Sequence, residues 1–338
     1  MSKSRRNPFS SRAFSVERLE DRQLMAADVA AYMTSGTLNV VESAGFVGGD
    51  NAVEIRQVAP GVMRVTGLYT SDDPGTSLVN GHAYQDFSGV LSLNVNLGGG
   101  NDIVNVGRQG TTMTLNNVFV NTDGTNKLNF HGYDYDHVNV VGLKATGQMT
   151  IQTGIGNDQI NLGVLNIGSN DLGNLTINTG PGSDVVNLNN VSVKGNLAIQ
   201  TADGNSSATD SDSVWLQTVT ANEGIYVKTG RGNDSLTATD VTSSTGILFD
   251  TGDGNDTVNL NSVRAIDDFF TQLGSGNDVL HETYLRANRL TLDGGAGNDS
   301  LTTGIDGTVN LLSETNWELI NNKPPMVFKP LSTATSPK

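Results

Sequence analysis

The stretch from Asp158 to Asp184 reads DQINLGVLNIGSNDLGNLTINTGPGSD. It holds three short apolar patches: Ile160-Asn161-Leu162, then Val164-Leu165-Asn166-Ile167, then Leu175-Thr176-Ile177-Asn178-Thr179 after Gly173. Apolar and polar residues alternate within each patch, the pattern of a strand with one buried face. The stretch closes on Gly180-Pro181-Gly182-Ser183-Asp184, where glycine permits a positive φ. Three strands this short cannot make an independent sheet. They can make one rung of a parallel β-helix, where each strand pairs with its equivalent in the next rung and alternate residues fill a continuous core.

The closing turn recurs as Gly, any residue, Gly, Asn (once Ser), Asp, any residue, then Val, Ile or Leu. Its aspartates are Asp102, Asp158, Asp184, Asp234, Asp256, Asp278 and Asp299, and the last three spacings are 22, 22 and 21 residues. A fixed period in this range means one unit stacked many times. After the turn, aligned rungs give an inward column of branched aliphatics: Val104, Val138, Ile160, Val186, Val214, Leu236, Val258, Leu280 and Leu301. Before the turn the column is Ile151, Ile177, Ile199, Val227, Phe249, Thr271 and Leu292, with Thr271 its exception. Two turns are degenerate. His131 to Val138 keeps the first Gly and the final Asp136, and Thr201 to Asn205 is followed by an insertion through Asp212. Earlier rungs are expected around Gly48-Gly49-Asp50-Asn51, with Val53 and Ile55, and around Met63-Arg64-Val65.

The predicted fold is therefore all-β: a right-handed parallel β-helix of about 10 rungs, with three short strands per ~22-residue rung. Residues 1–33 read as a leader, 34–312 as the β-helix, and 313–338 as a C-terminal cap and tail. Residues 34–60 begin the N-terminal cap. Trp317, Leu319, Ile320 and Phe328 are expected to cover the far end, and Pro324-Pro325 and the last residues read as a disordered tail.

Composition agrees. Of 338 residues, 36% are hydrophobic, only 16% are charged and 40 are glycine, which suits many short strands joined by turns and not a helical bundle. The net charge of −15 argues against nucleic acid and favours divalent cations. With no cysteine, disulfides and thiolate metal sites are excluded. No apolar run is long enough for a transmembrane segment.

Each turn sets one carboxylate beside several unobstructed carbonyls, the hard oxygens calcium prefers. Gly294-Gly295-Ala296-Gly297-Asn298-Asp299-Ser300-Leu301 resembles the RTX nonapeptide, in which calcium binds between stacked turns of a β-roll. The other copies put Leu97, Thr153, Thr179, Thr229, Thr251 and Leu273 at the first Gly, and the turn occurs once per rung instead of twice per coil. The resemblance implies Ca2+ on Asp102, Asp158, Asp184, Asp234, Asp256, Asp278 and Asp299, best where the period is regular. The other reading is that each Asp accepts backbone N–H bonds in an Asx-type turn, its charge simply solvated.

Near the N-terminus, Leu19-Glu20-Asp21-Arg22-Gln23-Leu24-Met25 resembles the LEPR-XLL segment of large bacterial surface and exported proteins. Asp21 stands where that segment has Pro, and Met25 where it has its last Leu. The resemblance implies sorting to the cell surface or the exterior of a bacterium, and says nothing of chemistry.

Other constellations are weaker. The outward column Asn105, Asn139, Asn161, Asn187, Trp215, Thr237, Asn259, His281 and Thr302 reads as a hydrogen-bonded amide ladder. Its Trp215 stands out as a sugar-stacking platform or a cover for a rung edge. His131, Asp134, Asp136 and His137 admit a transition metal, though a degenerate turn explains them more simply. The segment Tyr69 to Phe87 reads as a surface or partner-binding loop. Two functions follow. The first is a non-enzymatic extracellular or cell-surface repeat protein, structural or adhesive, with calcium and cell-envelope polysaccharide or other surface proteins as partners. The second is a carbohydrate-active β-helix resembling pectate-lyase-like proteins, with Arg264, Asp267, Asp268, Arg286 and Arg289 as the charged candidates. Only convergence of those residues in a groove would favour the enzyme.

Overall fold

The computed structural model describes residues 28–43, 49–70, 75–123, 134–168, 173–202, 210–304 and 309–321. They form two long sheets, of twelve and fourteen strands, and a two-stranded ribbon. Successive strands alternate between the long sheets. Val185–Val193 lies in one, Leu197–Gln200 in the other, and Ser213–Ala221 returns to the first. Each pairs in parallel with its equivalents one rung before and after, as Val186 does with Ile160 and Val214. This is the β-solenoid that the repeat requires.

The rung differs from the three-strand expectation in one respect. Its first two apolar patches run together as one nine-residue strand that bends in the middle. The bend is a single left-handed residue: Val164, Asn190, Thr218, Asp240 or Ser262, with φ between 54 and 58°. Side-chain alternation changes phase there, so Val186 and Leu188 point inward before the bend and Val191 and Val193 after it. Rung-to-rung pairing skips only that residue; Gly163 pairs with Asn189, and Leu165 with Val191. A β-branched residue at positive φ is disfavoured. Val164 and Thr218 hold that conformation because the strands on both sides are fixed by their neighbours in the stack.

The core is the set of predicted columns. Val104, Val138, Ile160, Val186, Val214, Leu236, Val258, Leu280 and Leu301 are all at most 1% exposed. Phe249 and Phe269 meet edge to face in it, centroids 5.4 Å apart.

Antiparallel strands finish the N-terminal end. Val29–Thr34 folds back on Thr37–Glu42, which pairs in parallel with Ser92–Asn96. Ala52–Ala59 is a true first rung beside Ile103–Gly107. Val62–Gly67 runs antiparallel to it, so Met63-Arg64-Val65 belongs to a hairpin and not to a further rung. Tyr84–Ser88, inside the segment read as a loop, adds one more antiparallel strand. Such strands stop the parallel edge from extending. The first strand begins at Val29, within the stretch read as leader. At the other end Leu319–Asn321 extends one sheet, and Trp317 packs on the core with its indole N–H donating to the Leu292 carbonyl at 3.0 Å. The LEPR-XLL-like segment, Phe328, Pro324-Pro325 and the last residues lie outside the described residues.

Close stacking of the turns explains their second glycine. Gly276 has φ +143°, and a Cβ added there would lie 1.8 Å from the carbonyl oxygen of Gly254 in the rung below. Gly276→Ala is expected to cost about 3 kcal/mol or more, since backbone has to move on both rungs. Chemical denaturation beside Gly110→Ala, where a Cβ meets nothing within 4 Å, measures this.

Candidate functional site

The turn places Asp at the inner edge of the corner and Asn at its outer edge. Asp102, Asp136, Asp158, Asp184, Asp212, Asp234, Asp256, Asp278 and Asp299 form one column, and none is more than 2% exposed. All seven aspartates of the full turn motif are in it. Asp136 and Asp212, from the degenerate turns, complete it. Both stand two residues before an inward aliphatic, Val138 and Val214, and that offset is the sequence signal that marks them.

Each carboxylate serves the neighbouring rung. The backbone N–H of Asp234 donates to Oδ1 of Asp256 at 2.8 Å, that of Asp256 to Asp278 at 2.7 Å, and that of Asp278 to Asp299 at 2.9 Å. The same bond links every rung from Asp102 upward. Asn51 donates to Asp102 at the start, and Asp299 donates to Glu318 at the end. The asparagines run the opposite way: Asn255 N–H donates to Asn233 Oδ1 of the preceding rung, Asn277 to Asn255, and Asn298 to Asn277. Two opposed side-chain ladders thus satisfy the amides that a tight corner removes from the sheets. Each Asp accepts a backbone N–H, as in the Asx-type reading, but from the neighbouring rung instead of its own turn, and the aspartates are buried and not solvated.

The second oxygens are the anomaly. Thr179 and Thr201 donate to Oδ2 of Asp184 and Asp212 at 2.5 and 2.7 Å. In the Asp184 and Asp212 rungs the first-Gly position of the RTX nonapeptide is therefore occupied by a threonine with its own task. Thr229 and Thr251 instead donate to the carbonyls of Thr251 and Leu273. A hydroxyl has one proton, and Oδ2 of Asp234 and Asp256 is left buried with no donor. Oδ2 of Asp102, Asp158, Asp278 and Asp299 is in the same position.

Desolvation in the column pushes every one of these carboxyl groups upward. Burial raises Asp158 and Asp278 to about 7, Asp184 and Asp212 to about 8, and Asp256 to about 6. It also raises Asp102, Asp136, Asp234 and Asp299, with Asp136 adding repulsion at Asp102. Ionised neighbours about 4.8 Å apart repel by roughly 1 kcal/mol in water and several-fold more where water is excluded. Protons or cations in the column would remove that repulsion. A proton on Oδ2 of Asp234 or Asp256 would donate to the Thr229 or Thr251 oxygen beside it and satisfy both groups.

Calcium, which the RTX resemblance implies, fits part of this donor set. The unpartnered Oδ2 atoms are hard, anionic and repeated along the axis. The turn carbonyls of Gly252 and Gly274 already accept the N–H groups of Ser275 and Ala296 at 2.9 and 2.7 Å, and each Oδ1 holds its amide. Among the described residues no three His, Cys, Asp or Glu side chains converge as a metal cage. His131 of the other metal candidate lies outside the described residues, and its companion Asp136 is a rung of the ladder.

Glu282 went unnoticed in the sequence. It follows Leu260 in an inward column and is 2% exposed; burial raises it to about 7, opposed in part by the Thr303 hydroxyl beside it. The charged candidates for catalysis form a surface pair instead of a centre: Arg289 grips Asp268 through two bonds of 3.0 and 2.5 Å, and Arg264 lies beside Arg286 one rung on. The outward column is as read, with Asn139 donating to Asn105, Asn161 to Asn139 and Asn187 to Asn161 at 2.8–2.9 Å. No helix among the described residues is long and apolar enough to cross a membrane. The chain matches no protein family, no curated protein and no solved structure.

Proposed function

We propose that this chain is a non-enzymatic β-solenoid of the bacterial exterior, a structural or adhesive repeat element whose buried aspartate column is neutralised by calcium and by protons. One observation carries the reading: the chemically unusual residues recur identically from rung to rung. An enzyme concentrates its special residues at one place, whereas a scaffold repeats them. The LEPR-XLL-like segment supports an exterior location, where millimolar calcium is available. Cell-envelope polysaccharide and other surface proteins are the partners such a scaffold would meet.

Calcium would be held through Oδ2 of Asp234, Asp256, Asp278 and Asp299, where the period is regular and the oxygens lack donors. Bound there, it would supply charge neutralisation alone. A melting experiment at pH 8 tests this. Millimolar calcium is expected to raise Tm relative to a chelated sample, and magnesium, which sheds its water reluctantly, to do so less. No rise with calcium sinks the calcium half of the proposal.

A further inference from the structure

The twelve-stranded sheet presents a flat outer face. Its strands are short, and the bend residues, Val164 through Ser262, all lie in the other sheet. Pairing in register sets its outward side chains in three straight columns. Asn117, Gln148, Asn174 and Asn196 make one flank, where Oδ1 of Asn117, Asn174 and Asn196 accepts the next rung's backbone N–H at 2.8–3.0 Å. Asn121, Gln152, Asn178 and Gln200 make the other flank. The central column passes from Phe119 to three apolar residues on successive rungs, Tyr226, Leu248 and Phe270, and Tyr226 is 47% exposed. We propose that this face joins two copies of the chain, packed face to face about a two-fold axis that runs parallel to the solenoid. A partner of this kind goes beyond the scaffold reading and depends on neither calcium nor protons in the aspartate column.

Such an axis keeps every rung level with its counterpart and exchanges the two flanks. The central column then meets itself: Tyr226 on Tyr226, Leu248 on Leu248, Phe270 on Phe270. Each flank meets the other. In the earlier rungs that sets amide against amide, Asn174 against Asn178 and Asn196 against Gln200. An amide has two N–H groups and two lone pairs, and the ladder uses only part of them, so the rest can pair across the interface. From Asn117 to Gln200 the three columns hold no charged residue. Loss of charge together with exposed aromatic residues marks the core of protein interfaces.

The charged residues come later in the stack and are matched by the same operation. Lys228 faces the second copy's Gly224, over which that copy's Tyr226 ring lies, so an ammonium meets an aromatic face. Asp250 faces the bare backbone of Gly246. Gln272 faces Asp268, and Asp293 faces Arg289. Lys228 and Arg289 keep their own carboxylates, Asp250 and Asp268, so the cross-pairs extend existing ion pairs. A two-fold axis along the strands through Leu248 would instead set Asp250 on Asp250, and charge complementarity selects against it. Size agrees as well. The strands from Val118–Asn121 to Ala287–Asp293 are eight neighbours in the sheet. At about 4.8 Å per strand and roughly 17 Å of width they bury about 1,300 Å² between two copies, inside the range of specific interfaces.

Analytical ultracentrifugation of the full chain in chelator tests the proposal. A dimer is expected at micromolar concentration. Leu248→Asp sets two carboxylates against each other on the axis and should weaken the dimer about a hundredfold. The chain has no cysteine, so single cysteines report the geometry. Thr176→Cys, on the central column, should be joined to its counterpart by a bismaleimide spanning about 10 Å, the separation of face-packed sheets. Thr237→Cys, outward on the bent sheet, should not be joined. Unchanged Tm establishes that each variant is folded, and the cysteine pair decides alone if Leu248→Asp fails to fold. A monomer at every concentration overturns the proposal. So do an open assembly larger than a dimer, a dimer that folded Leu248→Asp leaves intact, and a dimer that Thr176→Cys cannot link. None of these positions belongs to the aspartate column, so such a failure would leave the calcium and pH responses, and the scaffold reading, standing.

Discussion

In chelator, the protein is expected to be most stable near pH 4 and to lose stability steadily from there to about pH 8. The sign follows from proton counting. Asp158, Asp184, Asp212, Asp256 and Asp278 stand at about 6 to 8 in the fold, and an unfolded aspartate at 3.8. In between, the native chain holds protons that the unfolded chain has released, so stability falls as pH rises. The contribution is fully present below the unfolded value and is lost as pH passes through the folded ones. Each proton so held is worth about 1.4 kcal/mol per pH unit. With several carboxyls titrating together the slope should reach a few kcal/mol per pH unit. Denaturant midpoints at half-unit pH steps measure it, and a flat profile or one rising toward pH 8 would show that the column is ionised without cost. With millimolar calcium the decline should be shallower, because a divalent ion replaces the protons. That coupling ties the pH profile to the proposed cation.

Asp256→Ala and Asp256→Asn should part company sharply at pH 8. Asparagine keeps an oxygen for the Asp234 amide, removes the charge and gives Thr251 a donor. It is expected to be neutral or stabilising without calcium, and to lose that rung's share of the calcium response. Alanine leaves the Asp234 N–H buried without an acceptor, costing about 1–3 kcal/mol, and adds a cavity. A solenoid depends on each rung's contact with the next. The Asp256→Ala defect should therefore divide the unfolding transition or lower its midpoint, which circular dichroism during chemical denaturation would follow. Equal loss in both variants would mean that the charge itself, not the hydrogen bond, is what the fold uses.

The repeat was legible because strand alternation and a once-per-rung turn are local properties. The aliphatic columns from Val104 to Leu301 and the ladder from Asn105 to Asn187 could be aligned on paper and are paired in that register in the fold. The bend inside each nine-residue strand was not legible. A left-handed Val164 or Thr218 has no side-chain signature, and the stack imposes its φ from both sides. The antiparallel return of Val62–Gly67 was hidden for a similar reason. Met63 and Val65 alternate with Arg64 as a rung would, and only pairing partners reveal strand direction.

Sequence alone determined that this protein is a solenoid and which residues share a column, since a fixed period brings equivalent positions together whatever the cross-section. It also located the acidic edge. Only the tertiary structure decided what that edge is. A turn aspartate can face water, a cation or the next rung's amide with the same neighbours in sequence. Stacking buries the column, commits each Oδ1 to an amide and leaves six Oδ2 atoms without donors. Burial makes a charge costly in proportion to the water removed from it, and that quantity depends on the packing of neighbouring rungs, which no single turn encodes.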